Sequence, residues 1–163
     1  MNDDSLIHLQ KLDRLTKLSL DETGSKGFQH VANCSNLESL EIHDGHFTDA
    51  DLTSLKRLTK LRRLSLYNCT VTDEGAKTLA DAGRKLTELD LRRNRLTDAA
   101  MAHLARLPDL EFLSLDDQPI TDDGLREFKS CAALGRLNVQ HTNVTSSGID
   151  DLKRAKPKLK VSR

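Results

Sequence analysis

The chain has 163 residues, the size of one domain, and is long enough to bury a sizeable core. Its 25 basic and 25 acidic residues cancel, so no overall charge draws it to nucleic acid or to a membrane surface. With one tyrosine, four phenylalanines and no tryptophan, the core has to be built mainly from leucine.

The first predicted element is a helical segment over residues 1–14. NDDSLIHLQKLDRL aligns with TDADLTSLKRLTKL further along the chain, which places Leu6, Leu9, Leu12 and Leu15 over Leu52, Leu55, Leu58 and Leu61. The chain therefore begins with the helical half of a repeat, which we expect to cover the first strand as a cap.

The ends and the cysteines set expectations about location. The N-terminus lacks the apolar stretch of a signal peptide, and no apolar run approaches the roughly 18 to 20 residues that span a bilayer. Three cysteines is an odd number, and none of their spacings resembles a paired CxxC site. We therefore expect a cytoplasmic protein that does not bind membranes, and a monomer.

A leucine pattern repeats along the rest of the chain. The motif LxxLxL occurs six times, and successive copies are separated by 22, 24, 25, 24 and 24 residues. The copies are Leu15-Leu18-Leu20, Leu37-Leu40-Ile42, Leu61-Leu64-Leu66, Leu86-Leu89-Leu91, Leu110-Leu113-Leu115 and Leu134-Leu137-Val139. A fixed period of this length is the signature of a solenoid built from stacked repeats.

Each repeat contains a strand half and a helix half. The alternation within LxxLxL is that of a short strand with one buried face. A second signature of the type TDxxL follows, and its aspartates are placed to cap the next helix: Asp49, Asp73, Asp98 and Asp122. Because helices are about 10 Å wide and strands lie about 4.8 Å apart, stacking bends the parallel sheet inward, with the helices on the convex side.

On these motifs the chain resembles leucine-rich repeat proteins, in particular the cysteine-containing subtype found in F-box ubiquitin ligases and in small bacterial repeat proteins. Cys69 falls on the first consensus cysteine, and Cys34 and Cys131 fall on the second. The resemblance implies a right-handed α/β horseshoe that binds other proteins. It covers about residues 1–161. We predict one domain over residues 1–163, with a cap at 1–14, six repeats at 15–158 and a terminal edge strand at 159–163.

Cys34 and Cys131 share a repeat position with Leu12, Leu58 and Leu107, so we expect them to be buried as small hydrophobic side chains. Four repeats separate them, which is too far for a disulfide.

The segment HDGHFTD, residues 43–49, raises the alternative of a metal site. Two imidazoles and a carboxylate, from His43, Asp44 and His46, are ligands that zinc accepts. Aligned by repeat, however, the segment is the turn that leaves a strand, with Phe47 in a core position and Asp49 as the helix cap. The turn is the favoured interpretation, and a metal-binding protein or metal-dependent enzyme stays as the alternative.

The concave face of the sheet is the expected binding surface. Positions 3, 5 and 7 of each strand motif point away from the core, which places the sole tyrosine, Tyr67, and Phe112 on a solvated face. Exposed aromatics are candidate anchors, although Phe112 would equally shield neighbouring aliphatic atoms. We expect partner contacts from Tyr67, Phe112, Arg63, Arg92, Glu41, Asp90, Asp116 and His43.

Catalytic motifs are not found in the sequence. It has no GxxxxGK[ST] phosphate loop and no GxSxG elbow. Six of the last eleven residues, KRAKPKLKVSR, are basic, but without interleaved aromatics they favour protection of a sheet edge over nucleic-acid binding. The sequence therefore predicts a non-enzymatic, cofactor-free module that binds a protein or peptide.

Overall fold

The computed structural model of the protein describes residues 3–12, 14–83 and 85–163. Strands and helices alternate along the chain throughout this part. The strands are β1 Lys17–Asp21, β2 Ser39–His43, β3 Arg63–Tyr67, β4 Glu88–Asp90, β5 Phe112–Ser114, β6 Arg136–Asn138 and β7 Lys160–Ser162. They form one parallel sheet in the order β1-β2-β3-β4-β5-β6-β7, so each strand pairs with the next along the chain.

The helical halves are of two kinds. The α-helices are α1 Ser25–Val31, α2 Asp73–Ala82, α3 Asp98–Leu104, α4 Asp122–Arg126 and α5 Ser146–Ala155. The 3-10 helices are η1 Asp3–Lys11, η2 Asp49–Arg57 and η3 Glu127–Ser130. In η2, the hydroxyls of Thr53 and Ser54 donate to the carbonyls three residues before them, at 2.8 and 2.6 Å, which matches the tighter turn.

The strand register is the one that the leucine motif predicts. Lys17, Ser39, Arg63, Glu88, Phe112, Arg136 and Lys160 lie opposite one another in successive strands. The sixth position of the motif points into the core and is buried in every copy: Leu20, Ile42, Leu66, Leu91, Leu115 and Val139. The α/β solenoid with its sheet on the concave side is therefore confirmed.

The aspartates of the TD motif do not cap their own helices, which corrects the expectation for Asp49, Asp73, Asp98 and Asp122. The threonine before each aspartate is the N-cap residue, in extended conformation. Each aspartate instead accepts from the N-cap threonine of the next repeat: Asp73 bonds the amide and hydroxyl of Thr97 at 2.8 and 2.7 Å. The same pair of bonds joins Asp49 to Thr72, Asp98 to Thr121 and Asp122 to Thr145.

In three of these four links a glycine two residues into the receiving helix leaves room for the carboxylate, whereas α3 has Ala100 at this position. A Cβ on Gly124 would lie 2.4 Å from Asp98 Oδ1, and a Cβ on Gly148 would lie 2.1 Å from Asp122 Oδ1. The carboxylates thus link neighbouring helices, whereas an own-helix cap would act only within one repeat.

The ends of the array differ from its interior. Residues 1, 2 and 13 of the predicted cap lie outside the described residues. Leu12 is 52% exposed, contrary to the expectation that it shares the buried position of Leu58, because η1 is the first element of the array and has a neighbouring repeat on only one side. At the other end, β7 pairs with β6 and buries Leu159 just before it.

Candidate functional site

The concave face carries three rows of side chains that cross the strands. Register fixes the rows, since residues at the same motif position are direct neighbours in adjacent strands. The central row is built largely from small polar residues: Ser19, Glu41, Ser65, Asp90, Ser114, Asn138 and Ser162. At the middle of the face a depression of about 250 Å³ lies over β2 to β5, lined by residues that include Glu41, His43, Arg63, Arg92 and Phe112.

Tyr67 lies at the centre of a cluster of cations. The Cζ atoms of Arg92 and Arg93 are 5.4 and 5.6 Å from the centre of its ring. The ring of His43 meets it edge-on at 5.8 Å between centroids. Tyr67 is half-buried rather than fully exposed, because these neighbours cover part of it. Arginine over an aromatic face contributes about 0.5–1 kcal/mol at exposed sites, so these contacts help to hold the side chains together.

Asp90 fixes the position of Arg92. The guanidinium donates from Nε at 2.9 Å and from Nη2 at 2.6 Å to the Asp90 carboxylate. These hydrogen bonds raise the pKa of Arg92, against the opposing effect of burial. The two residues hold positions 5 and 7 of one strand motif and so lie on the same face, as predicted, whereas the ion pair between them was not predicted.

Arg93 reaches Tyr67 because the chain turns sharply after the strand. The residue that follows position 7 has positive φ, between 52° and 61°, in six repeats: Glu22, Asp44, Asn68, Arg93, Asp117 and His141. Arg93 Nε also lies 3.2 Å from Asp117 Oδ2, which holds the side chain beside the ring. Arg93 was not among the predicted contact residues, and the recurrent turn position is the signal that would have revealed it.

Phe112 makes a second aromatic–arginine pair. The Cζ of Arg136 lies 5.3 Å from the centre of the Phe112 ring. Phe112 is half-buried, and its neighbours in the same row are Glu88 on one side and Arg136 on the other. Arg136 therefore covers part of this ring, and the role of Phe112 as an anchor for a partner stays a prediction.

Asp116 differs most from its expected position. Its residue exposure is 8%, and its carboxylate accepts from the backbone amide of Gln140 at 2.7 Å and from the Ser114 hydroxyl at 3.3 Å. The carboxylate thus fixes the turn of the next repeat. It was expected to be exposed because the motif position alone does not show that a neighbouring backbone amide covers it.

The remaining predicted residues are distributed across the face. Arg63 and Glu41 are exposed, and His43 lies at 3.2 Å from the Asp21 carboxylate through Nδ1. Arg63 and Glu88 are direct neighbours across β3 and β4. The structure thus brings His43, Tyr67, Arg92 and Asp90 together and leaves Phe112 on the next strand with Arg136.

The alternative metal site does not assemble. Asp44 accepts a hydrogen bond from the side chain of Asn68, and His46 is exposed on the loop side. Across residues 3–12, 14–83 and 85–163, no three His, Cys, Asp or Glu side chains converge in a way that would hold a metal ion. Phe47 is buried against Phe28, with ring centroids 4.7 Å apart, as the turn interpretation predicts.

The three cysteines are free and buried, as expected. Cys69 sits in the turn after β3, where its sulfur contacts the amide of Gly45 at 3.4 Å and the carbonyl of Tyr67 at 3.3 Å. Burial raises the pKa of Cys69 to about 11. Burial also raises the pKa of Cys34 and of Cys131, so all three thiols are held in the unreactive, protonated form at neutral pH.

Known proteins share this architecture. Residues 57–80 and 84–105 match the family model described as leucine rich repeat. The fold is a leucine-rich repeat solenoid. Solved structures with this fold include the internalin inlF of Listeria monocytogenes, with a TM-score of 0.67 and 19% sequence identity over 96% of this chain. Internalin C2 of the same species has a TM-score of 0.63 and 23% identity, covering 99% of this chain and 73% of its own.

A leucine-rich repeat protein of Leptospira interrogans is similar as well, with a TM-score of 0.59 and 16% identity over 96% of this chain. The chain spans about half the length of this protein and of inlF, at 51% and 49%. At these identities the likeness establishes the repeat fold. None of the helices in the described parts of the chain is long and apolar enough to cross a membrane.

Proposed function

We propose that this leucine-rich repeat chain is a non-catalytic binding module whose concave face holds a protein or peptide. The observation that carries the proposal is the Tyr67 cluster, which consists of Tyr67, His43, Arg92 and Arg93. Its ring is flanked by the guanidiniums of Arg92 and Arg93, and each guanidinium is held by an aspartate. Tyrosine and arginine are enriched among the residues that dominate binding energy, and fixing them in advance lowers the entropy lost on association.

Tyr67 and Phe112 are the proposed anchors, with Arg63, Glu41 and His43 as polar contacts around them. Arg92 contributes through Nη1, since Asp90 occupies its other donor edge. Asp116 contributes indirectly, by holding the amide of Gln140 at the rim of the face. The three rows together approach the roughly 20 to 30 residues per side of a standard protein interface.

We further assign the chain to the cysteine-containing subtype of leucine-rich repeats. The support is positional: Cys34 and Cys131 are buried at the ends of helical halves, at the repeat position that Leu58 and Leu107 hold elsewhere. Cys69 occupies the turn position where the next repeat has Asn94, whose side chain likewise bonds backbone groups of its neighbour.

Affinity capture with matched variants tests the proposal. The double variant Tyr67→Ala/Phe112→Ala removes both anchors, and Lys77→Ala/Arg106→Ala removes two exposed side chains on the helix side. We expect a specific partner to be captured by the unmodified protein and by the helix-side control, and lost with the anchor variant. Thermal unfolding of all three proteins checks that the fold is intact. Equal capture by the anchor variant, with its fold intact, would overturn the placement on the concave face.

A further inference from the structure

A small apolar pocket lies on the helix side of the solenoid, between the end of η2 and the end of α2. Its volume is about 180 Å³. We call it the lysine-rimmed pocket, and its lining residues are Leu55, Lys56, Leu58, Thr59, Leu61, Ala82, Gly83, Lys85 and Leu86. It is on the opposite side of the molecule from the Tyr67 cluster, so it is independent of the function proposed above.

One lining residue of the pocket departs from the repeat pattern. Gly83 stands at the repeat position that holds a buried side chain elsewhere, namely Leu58, Leu107, Cys34 or Cys131. A Cβ at Gly83 would lie 2.5 Å from Leu86 Cδ1 and 2.9 Å from the Leu79 carbonyl oxygen, so Leu86 and the end of α2 occupy the direction that a side chain would take.

The length of the repeat adds to the gap. The step from Leu61 to Leu86 is 25 residues, the longest in the array, and α2 has 10 residues where α3 has 7. The longer helix α2 packs against the tighter 3-10 helix η2, and the two are not matched in width or rise per residue. The mismatch between the two helices therefore leaves a space between η2 and α2.

The pocket is lined by apolar walls with two basic side chains at its rim. Leu55, Leu58, Leu61 and Leu86 form apolar walls, and they are buried, with 1–5% exposure. Lys56 and Lys85 are exposed, and among the described residues neither has a carboxylate within 4.0 Å. None of the described lining residues is acidic. An apolar floor beneath two unpaired ammonium groups matches a ligand that is apolar at one end and anionic at the other.

We propose that the lysine-rimmed pocket binds a compact apolar carboxylate, a small aromatic or branched aliphatic acid. Its apolar part fills the leucine-lined floor, and its carboxylate faces Lys56 and Lys85. The volume of the pocket limits the size of the ligand. A cavity of about 150 Å³ accepts a benzene ring, whereas drug-sized ligands need about 300 Å³ or more. A ligand this small binds weakly, with a Kd of about 1 mM.

The test uses benzoate as the probe and benzyl alcohol as the neutral molecule of similar size. Leucine methyl groups are followed by nuclear magnetic resonance during titration of the full chain. We expect saturable chemical-shift changes at Leu55, Leu58, Leu61 and Leu86. We expect none at Leu113 and Leu137, which are buried in other repeats. Benzoate is expected to bind about fivefold more tightly than benzyl alcohol, the strength of one exposed ion pair.

Two variants separate the floor from the rim. Ala82→Leu places extra side chain in the pocket and is expected to abolish the shifts with both probes. Lys56→Gln/Lys85→Gln leaves the floor intact, and is expected to reduce benzoate affinity to that of benzyl alcohol. Lys60→Gln, on an exposed lysine outside the lining, is the control and is expected to change neither. Absence of saturable shifts, or equal benzoate affinity in the double lysine variant, overturns the proposal.

Discussion

The carboxylate of Asp98 accepts hydrogen bonds from both the backbone amide and the hydroxyl of Thr121, at 2.8 and 2.6 Å. Thr121 is the N-cap residue of α4, so the first residue of α3 holds the beginning of the following helix. Four aspartates make this link along the array. Because each repeat of a solenoid contacts only its neighbours, such links add to the coupling between repeats.

Replacing Asp98 by asparagine tests the strength of one link. The amide can accept only one bond at its oxygen in the same geometry, and it loses the charge that strengthens both. We expect Asp98→Asn to lower the free energy of unfolding by about 1–3 kcal/mol in urea denaturation. Asp109→Asn, at an exposed position, is the matched control and is expected to change it by less than about 0.5 kcal/mol. Equal effects of the two substitutions would contradict the link.

Acid should weaken the same links in a predictable direction. Hydrogen bonds from the Thr145 hydroxyl and amide hold the pKa of Asp122 below its ordinary value of 3.8. A carboxylate with a lowered pKa in the folded state stabilises fully above the ordinary value, and this contribution is lost as the pH falls through the folded one. At pH 6 we therefore expect the unmodified protein to have a higher free energy of unfolding than Asp122→Asn. This difference should shrink as the pH falls below the ordinary pKa of the carboxyl. A gap that stays constant with pH would show that the charge of Asp122 is not involved.

The buried thiols should be inert in the native protein. Burial raises the pKa of Cys69 to about 11 and raises those of Cys34 and Cys131, so little thiolate forms at neutral pH. Iodoacetamide at pH 7.5 is expected to leave the folded chain unmodified and to add three carbamidomethyl groups in denaturant, as measured by intact mass. Rapid labelling of one cysteine under native conditions would show that its burial is not maintained in solution.

Thr70 is a site where the fold carries backbone strain. Its φ is 58°, a conformation that β-branched residues rarely adopt. Asparagine tolerates this region better, so Thr70→Asn is expected to raise the free energy of unfolding by about 1 kcal/mol. Thr16→Asn, at an exposed threonine without positive φ, serves as the control and should be nearly neutral. A loss of stability in Thr70→Asn, measured by thermal and urea unfolding, would argue against strain at this residue.

Much of the fold could be predicted from the leucine spacing, because a motif of fixed length leaves a parallel strand only one register. Leu40, Leu64, Leu89, Leu113 and Leu137 are therefore paired and buried as expected. The spacing does not show which group each polar side chain will bond. From the sequence, a carboxylate at the start of a helix is predicted to cap that helix. In the structure, Asp49 instead accepts a hydrogen bond from Thr72 in the next repeat.

The sequence predicts on which face of the sheet the candidate site lies, but it does not predict the contacts between its side chains. Tyr67 and Phe112 are on the concave side because motif positions alternate between faces. Their half-buried state depends on Arg92, Arg93 and Arg136 stacking over them, which requires side-chain conformations and the positive φ of Arg93. Asp116 was misjudged for the same reason, since an amide of the following turn covers it.

Site-specific photo-crosslinking tests the proposed binding face most directly. A benzoylphenylalanine at Glu88, exposed between Arg63 and Phe112, samples the centre of the concave face, and one at Lys77 samples the helix side. With the partner identified by affinity capture, the account predicts strong crosslinks from position 88 that Tyr67→Ala/Phe112→Ala abolishes, and little product from position 77. Crosslinking confined to position 77, with position 88 silent, would contradict it.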